Sequence, residues 1–165
     1  MASSVKLSKE PLNFFKAKIN FYDPSVEGGL ELHEILVKSD IVSIHVPLND
    51  ETRNLIGIDE LKSMKPGSLL INASRGGVVD ENSLVKMLNE EHLGGAAIDV
   101  FSQEPLANQN PFLKLRAKAA QRLILTPHIA GISRQAWIKL FDDSWKNIER
   151  MLLKYEFPKF VVNKE

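Results

Sequence analysis

Short apolar runs alternate with stretches of helical spacing along most of this chain, the pattern of stacked βα units around a parallel sheet. The runs predict strands at residues 18–22, 40–46, 68–73, 96–100 and 123–126. Ile41, Val42, Ile44 and Val46 form a nearly continuous apolar run, as expected of a strand covered by helices on both faces. Leu69, Leu70 and Ile71 read the same way, as do Ala96, Ala97 and Ile98.

Helices are expected between the strands. Residues 30–38 carry Leu32, Ile35 and Leu36 at helical spacing, and residues 58–64 form a short helix that Pro66-Gly67 stops. Asp80 is placed as an N-cap for a helix over 81–91, with Leu84, Val85 and Leu88 facing inward and Gly94-Gly95 ending it. Residues 103–120 contain Pro105 and Pro111 and little periodicity, so a long irregular connection is expected. A last helix over 134–155 has an apolar stripe of Trp137, Phe141, Trp145, Ile148 and Leu152. That stripe suits packing on its own domain and an interdomain or intersubunit role equally well. The tail 157–165 reads as a closing strand or a frayed end.

The pattern predicts an α/β fold with a doubly wound parallel sheet, and 165 residues with 44% hydrophobic and 25% charged positions can build one such core. Lys plus Arg and Asp plus Glu balance at 21 each, so no net field draws the chain to nucleic acid or an anionic membrane. Cysteine is absent, which excludes disulfides, thiolate metal sites and a cysteine nucleophile. No apolar run reaches the ~20 residues of a bilayer span, the start lacks the apolar core of a secretory signal, and a cytoplasmic setting is expected. No His/Asp/Glu cluster has metal-ligand spacing.

In sheets of this class ligands gather beyond the carboxyl ends of the strands. Asp23 follows the first predicted strand, either as an acceptor for the hydroxyls of an adenosine ribose or as the opener of an Asp-Pro turn. After the second comes His45-Val46-Pro47-Leu48, where His45 reads as structural and Pro47 ends the strand. The third runs into Asn72-Ala73-Ser74-Arg75-Gly76-Gly77. Two glycines after an arginine permit a sharp turn that leaves the guanidinium in the crevice, where its fork suits a carboxylate and a carbonyl oxygen. A surface salt bridge is the plainer use of Arg75. The fourth strand leads to Asp99-Val100-Phe101-Ser102-Gln103-Glu104-Pro105, the fifth to Thr126-Pro127-His128-Ile129-Ala130-Gly131. An arginine, two carboxylates and a histidine thus leave one sheet edge, and a histidine with a carboxylate is a standard general acid–base device. His33 and His92 read as solvated surface positions.

Taken together these residues resemble the D-isomer-specific 2-hydroxyacid dehydrogenases, which include phosphoglycerate, glycerate/hydroxypyruvate and D-lactate dehydrogenases. The similarity runs from about Tyr22 to Leu152. It is strongest at Ser39-Asp40-Ile41-Val42-Ser43-Ile44-His45-Val46-Pro47-Leu48, at Glu51-Thr52-Arg53-Asn54-Leu55-Ile56, from Met64-Lys65-Pro66-Gly67 to Val79-Asp80, and at the last two strand ends. The resemblance implies a Rossmann-like domain over 18–132, with 1–17 atypical and 133–165 a C-terminal helix and tail. It implies that Arg75 binds the substrate carboxylate and carbonyl, that His128 donates and accepts the proton, and that Glu104 pairs with His128. It implies NAD as cofactor, with Asp99 at the nicotinamide carboxamide, Asp23 at the ribose, and Val46, Pro47, Thr52, Ala73, Ser74, Arg75, His128, Ala130 and Gly131 beside the dinucleotide. The implied partner is a small 2-hydroxy or 2-keto acid, together with a second copy of the chain or a complementing subunit.

The family's G-x-G-x-x-G loop precedes the ribose acid by about 20 residues. Here residues 2–21 contain no glycine, so the Rossmann-like sheet is expected to be incomplete, without its first βα unit and pyrophosphate cradle. Two functions follow: an impaired dehydrogenase portion, or a non-catalytic module for dimerisation or interaction derived from one.

Overall fold

The computed structural model describes residues 16–159, so the readings made of residues before 16 and after 159 lie outside the described residues. The chain divides into two compact units after His128. In the first, four parallel strands stand in chain order: β1 (Ile41–Ile44), β2 (Leu69–Asn72), β3 (Gly95–Ile98) and β4 (Leu123–Leu125). Their register aligns Val42, Leu70, Ala96 and Leu123 in one row, and Ile44, Asn72, Ile98 and Leu125 two residues further on.

Helix α1 (Leu32–Lys38) leads into β1, α2 (Ile58–Ser63) joins β1 to β2, α3 (Glu81–Asn89) joins β2 to β3, and α4 (Ala117–Ala120) precedes β4. Parallel crossovers are right-handed, so strands in chain order put every connecting helix on the same face of the sheet. Side chains alternate across a strand, and the face toward those helices carries Val42, Ile44, Leu70, Ala96 and Ile98, all buried in one core with Leu61, Met64, Leu84 and Leu88. The opposite face carries Ile41, Leu69 and Ile124, which are 56%, 41% and 65% exposed. The apolar run of β1, expected to be covered on both faces, is therefore buried at Val42 and Ile44 and open at Ile41 and Ser43.

Residues 18–22 form no strand. In the doubly wound order 3-2-1-4-5-6 the strand that ends in the ribose acid pairs with strand 1, never with strand 4. β1 occupies the place of strand 4, so its register offers residues 18–22 no partner. The connection 103–120 is also more regular than its prolines suggest. Asn110 caps a 3-10 turn, Pro111–Lys114, with Oδ1 accepting from Phe112 N at 2.9 Å, and α4 follows.

Asp80 caps α3, accepting from Asn82 N at 3.3 Å and Ser83 N at 3.2 Å. The helix does not end on Gly94-Gly95: Glu91 takes the left-handed conformation instead, at φ +60°. Gly94 serves a close approach, since a Cβ there would lie 2.2 Å from the Gly67 carbonyl oxygen. Leu84 is wholly buried beneath α3. Leu84→Ala is expected to lower unfolding free energy by about 2–5 kcal/mol through lost burial and a residual cavity, measured by urea denaturation.

The second unit is built on α5 (Arg134–Leu153), capped by Ser133 Oγ on Ala136 N at 3.0 Å. Lys139–Asp143 and Lys146–Asp142 pair at i,i+4 along it, and Trp137 stacks on Phe141 with ring centroids 5.6 Å apart. The tail returns along the helix, where Asn147 bonds both the N–H and the carbonyl of Lys159. The stripe of Trp137, Phe141, Trp145, Ile148 and Leu152 is exposed. Among the described residues no helix is long and apolar enough to cross a membrane.

Candidate active site

The turn after β2 is shaped by Asn72, a buried side chain. Its Oδ1 accepts from Ser74 N at 3.1 Å and Ser74 Oγ at 2.8 Å, while its Nδ2 donates to the Arg75 carbonyl at 3.1 Å. Three bonds from one amide hold the turn that carries Arg75, which is itself exposed and donates from Nη1 to the Ser74 carbonyl at 2.6 Å. Gly76 follows with its Cα against the next loop: a Cβ there would lie 1.7 Å from the Phe101 carbonyl oxygen. Only glycine fits at that distance, and the contact locks the Arg75 turn to the loop that leads to Glu104.

Beyond β3, Asp99 is buried and accepts from Thr126 Oγ1 at 2.5 Å. Its carbonyl takes the His128 N–H at 2.8 Å, which ties the loops after β3 and β4. Glu104 Oε1 accepts from Phe101 N at 2.9 Å, and Glu104 Oε2 lies 2.7 Å from His128 Nδ1. A carboxylate only accepts, so the Nδ1 proton faces Glu104 and Nε2 is left to take or give a proton. His128 holds φ +54°, a left-handed conformation in which histidine is one of the commoner non-glycine residues.

The His128 hydrogen bond, and secondarily the Phe101 amide, hold the Glu104 carboxyl below its ordinary value of 4.5, while burial works weakly the other way. A carboxyl depressed on folding stabilises the native state above its unfolded value and loses that contribution as pH falls through its folded value. Wild type is therefore expected to be more stable than Glu104→Gln at neutral pH, and the gap to narrow only below about pH 4.5. Urea denaturation of both proteins between pH 7 and pH 3 measures this.

His45, Val46, Pro47, Ser74 and Arg75 line an open recess of about 320 Å³ between the ends of β1 and β2. Thr52, expected beside the dinucleotide, has its hydroxyl on the Pro47 carbonyl at 2.6 Å and Asn49 N at 2.9 Å, so it shapes the loop. His45 is exposed, with Nε2 2.9 Å from Ser43 Oγ. Asp23 opens the turn 23–26, its Oδ1 accepting from Ser25 N at 3.0 Å. Ala73 is exposed in the Arg75 turn, and Ala130 and Gly131 belong to the second unit. His92 differs from expectation: it is half-buried, with Nε2 3.0 Å from the Met64 carbonyl.

Two buried groups of this edge carry no obvious sequence signal: Asn72, and Glu81, which accepts from Ser102 N at 2.6 Å and Asn110 Nδ2 at 2.9 Å. Among the described residues no group of three or more His, Cys, Asp or Glu forms a metal cage. Asp99 and Asp23 are acceptors of the kind that an amide or a sugar hydroxyl needs, and Arg75 stands beside the recess. For the pyrophosphate of a dinucleotide, the interval 2–21 holds no glycine.

Comparison with known proteins identifies the family. A family model described as D-isomer specific 2-hydroxyacid dehydrogenase, NAD binding domain, matches residues 9–130. The match begins ahead of Tyr22 and includes part of the segment read as atypical. A glyoxylate reductase of Thermofilum pendens is 41% identical, over 93% of this chain and 47% of its own length. A D-3-phosphoglycerate dehydrogenase of Escherichia coli is 50% identical over 64% of this chain and 25% of its own. Among solved structures, apo D-mandelate dehydrogenase of Rhodotorula graminis superposes with TM-score 0.85 at 25% identity, covering 99% of this chain and 49% of that one. NAD-dependent formate dehydrogenase of Staphylococcus aureus, in complex with NAD, superposes with TM-score 0.78 at 30% identity, over 97% of this chain and 49% of that one. The chain spans less than half the length of these proteins.

Proposed function

This chain belongs to the D-isomer specific 2-hydroxyacid dehydrogenase family, as its NAD-binding domain, and from that premise we propose that it forms the nucleotide-binding portion of an oxidoreductase acting on the CH–OH group of a D-2-hydroxy acid. The observation that carries the proposal is the 2.7 Å pair of His128 and Glu104 at the carboxyl edge of the sheet, on a loop fixed to the Arg75 turn through Gly76. The Arg75 fork holds the substrate carboxylate and its C2 oxygen. His128 Nε2 takes the hydroxyl proton in oxidation and returns it in reduction, and Glu104 supports the charged ring between the two. Bound NAD would supply the two-electron acceptor that turns the 2-hydroxy acid into a 2-keto acid, and His128 keeps the hydroxyl proton. Asp99 orients the nicotinamide carboxamide, Asp23 takes the ribose hydroxyls with the oxygen its turn leaves over, and Val46, Pro47, Ala73 and Ser74 flank the dinucleotide.

The 165-residue polypeptide by itself is proposed to bind NAD weakly and turn over slowly, because it offers no glycine cradle for the pyrophosphate in residues 2–21. A second copy or a complementing subunit is the proposed partner, in the cytoplasm. The alternative reading, a non-catalytic module that pairs with related subunits, is favoured by one observation, the exposed aromatic stripe of α5.

The enzymatic reading is tested by joining this chain to the upstream half of a family relative and following NADH absorbance with several 2-keto acids. Steady NADH-dependent reduction is expected from the chimera and little from the isolated polypeptide. A folded chimera inert toward every 2-keto acid, under conditions where the intact relative turns over, would overturn the reading in favour of the interaction module.

A further inference from the structure

Glu81 stands in the first turn of α3, beside the Asp80 cap, where a glutamate ordinarily faces solvent and helps the helix dipole. Here it is buried, and its two oxygens are taken from outside the helix. Oε1 accepts from the backbone N–H of Ser102 at 2.6 Å and Oε2 from Asn110 Nδ2 at 2.9 Å. Asn110 cannot turn over freely, because its own Oδ1 is held by Phe112 N at 2.9 Å.

The Ser102 N–H and the Phe101 carbonyl belong to the same planar peptide unit. Glu81 takes the N–H end of that unit, and Gly76 abuts its carbonyl end, where any Cβ would collide at 1.7 Å. The peptide is thus fixed from both sides. The N–H of Phe101, one residue back along the chain, is the group that holds Glu104 Oε1 at 2.9 Å, and the other Glu104 oxygen meets His128.

We propose that Glu81 is a positioning residue for the acid–base pair: by pinning the Phe101–Ser102 peptide it sets where the Glu104 carboxylate sits, and through Glu104 the orientation of His128. The catalytic meaning of this inference rests on the dehydrogenase reading, while the geometric chain from Glu81 to Glu104 is testable without turnover. Glutamine at 81 presents one acceptor to two donors and makes a neutral bond in place of a charge-assisted one, at roughly half the strength. Leucine removes both acceptors at similar volume.

The test uses the full chain labelled with ¹³C at glutamate carboxyls and ¹⁵N at amides, as wild type, Glu81→Gln and Glu81→Leu, with Glu104→Gln to assign the resonance. Two readouts are taken: the exchange rate of the Ser102 amide and the pH midpoint of the Glu104 carboxyl signal. In Glu81→Leu, Ser102 is expected to exchange about tenfold faster or more, and the Glu104 midpoint to rise toward its ordinary value. Glu81→Gln should move both in the same direction by less. A folded Glu81→Gln protein with an unchanged Glu104 midpoint would overturn the proposal, whether or not Glu81→Leu folds. So would a folded Glu81→Leu protein in which Ser102 exchange accelerates and Glu104 titrates as in wild type. In the chimera, Glu81→Gln should lower kcat while leaving KM for NAD in place. A chimera without turnover, alongside a shifted Glu104 midpoint, would count against the dehydrogenase reading and leave the positioning role standing.

Discussion

His128→Asn is expected to reduce kcat of the chimera by about 10²–10⁴-fold, the usual contribution of a positioned general acid–base group, with NAD affinity nearly unchanged. Asparagine is the informative replacement because it tolerates the φ of +54° found at this position. Its amide can still face Glu104, so the loop keeps a polar partner while the titrating nitrogen is removed. The backbone bond from His128 N to the Asp99 carbonyl is independent of the side chain. A fold defect would therefore not explain the loss, and unchanged thermal unfolding is the control. Steady-state kinetics with NADH and a 2-keto acid measure the effect; a variant with wild-type kcat would remove His128 from the proton step.

Gly76→Ala is expected to be the most destabilising single-methyl change in the described part of the chain, costing more than about 3 kcal/mol or abolishing the fold. The added Cβ would stand 1.7 Å from the Phe101 carbonyl oxygen, 2.1 Å from its carbon and 2.7 Å from Ser102 N. All three atoms are backbone, so no flexible side chain can give way, and relief requires moving the loop that carries Glu104. Gly67→Ala is the matched control. Gly67 has φ +81° and nothing within 4 Å of an added Cβ, which leaves only the left-handed backbone penalty of about 1–2 kcal/mol. Urea denaturation of the two variants should separate them clearly, and equal losses would mean that the Arg75 turn is not locked to the Phe101 loop as described.

What was legible in the sequence was what local rules determine. The four strands that pair carry concentrated apolar runs, and α3 announces itself through Asp80 and its inward Leu84, Val85 and Leu88. The polar residues that end β2, β3 and β4 were legible because the carboxyl edge of a parallel sheet is where such residues serve ligands. What stayed hidden depends on partners far along the chain. Residues 18–22 have strand composition, yet a strand exists only where a neighbour completes its ladder. Glu81 has the local signature of a solvated first-turn acid. Its burial comes from a segment 21 to 29 residues later that folds across the start of α3. His92 looked solvated for the same reason, since Met64, 28 residues earlier, supplies its partner. Gly76 and Gly94 were read as turn and stop signals, and the structure uses both for close backbone contact that no local pattern encodes.

Titrating NAD into the isotope-labelled chain, with backbone and side-chain resonances followed, tests whether the cofactor meets the carboxyl ends of the strands beside the His128–Glu104 pair. Concentration-dependent shifts are expected at Val46, Ser74, Arg75, Asp99 and His128, saturating weakly, with Asp40, Ser68 and Gly94 at the opposite edge unmoved. Shifts centred on the amino edge, or a spectrum unchanged at millimolar NAD, would contradict that placement.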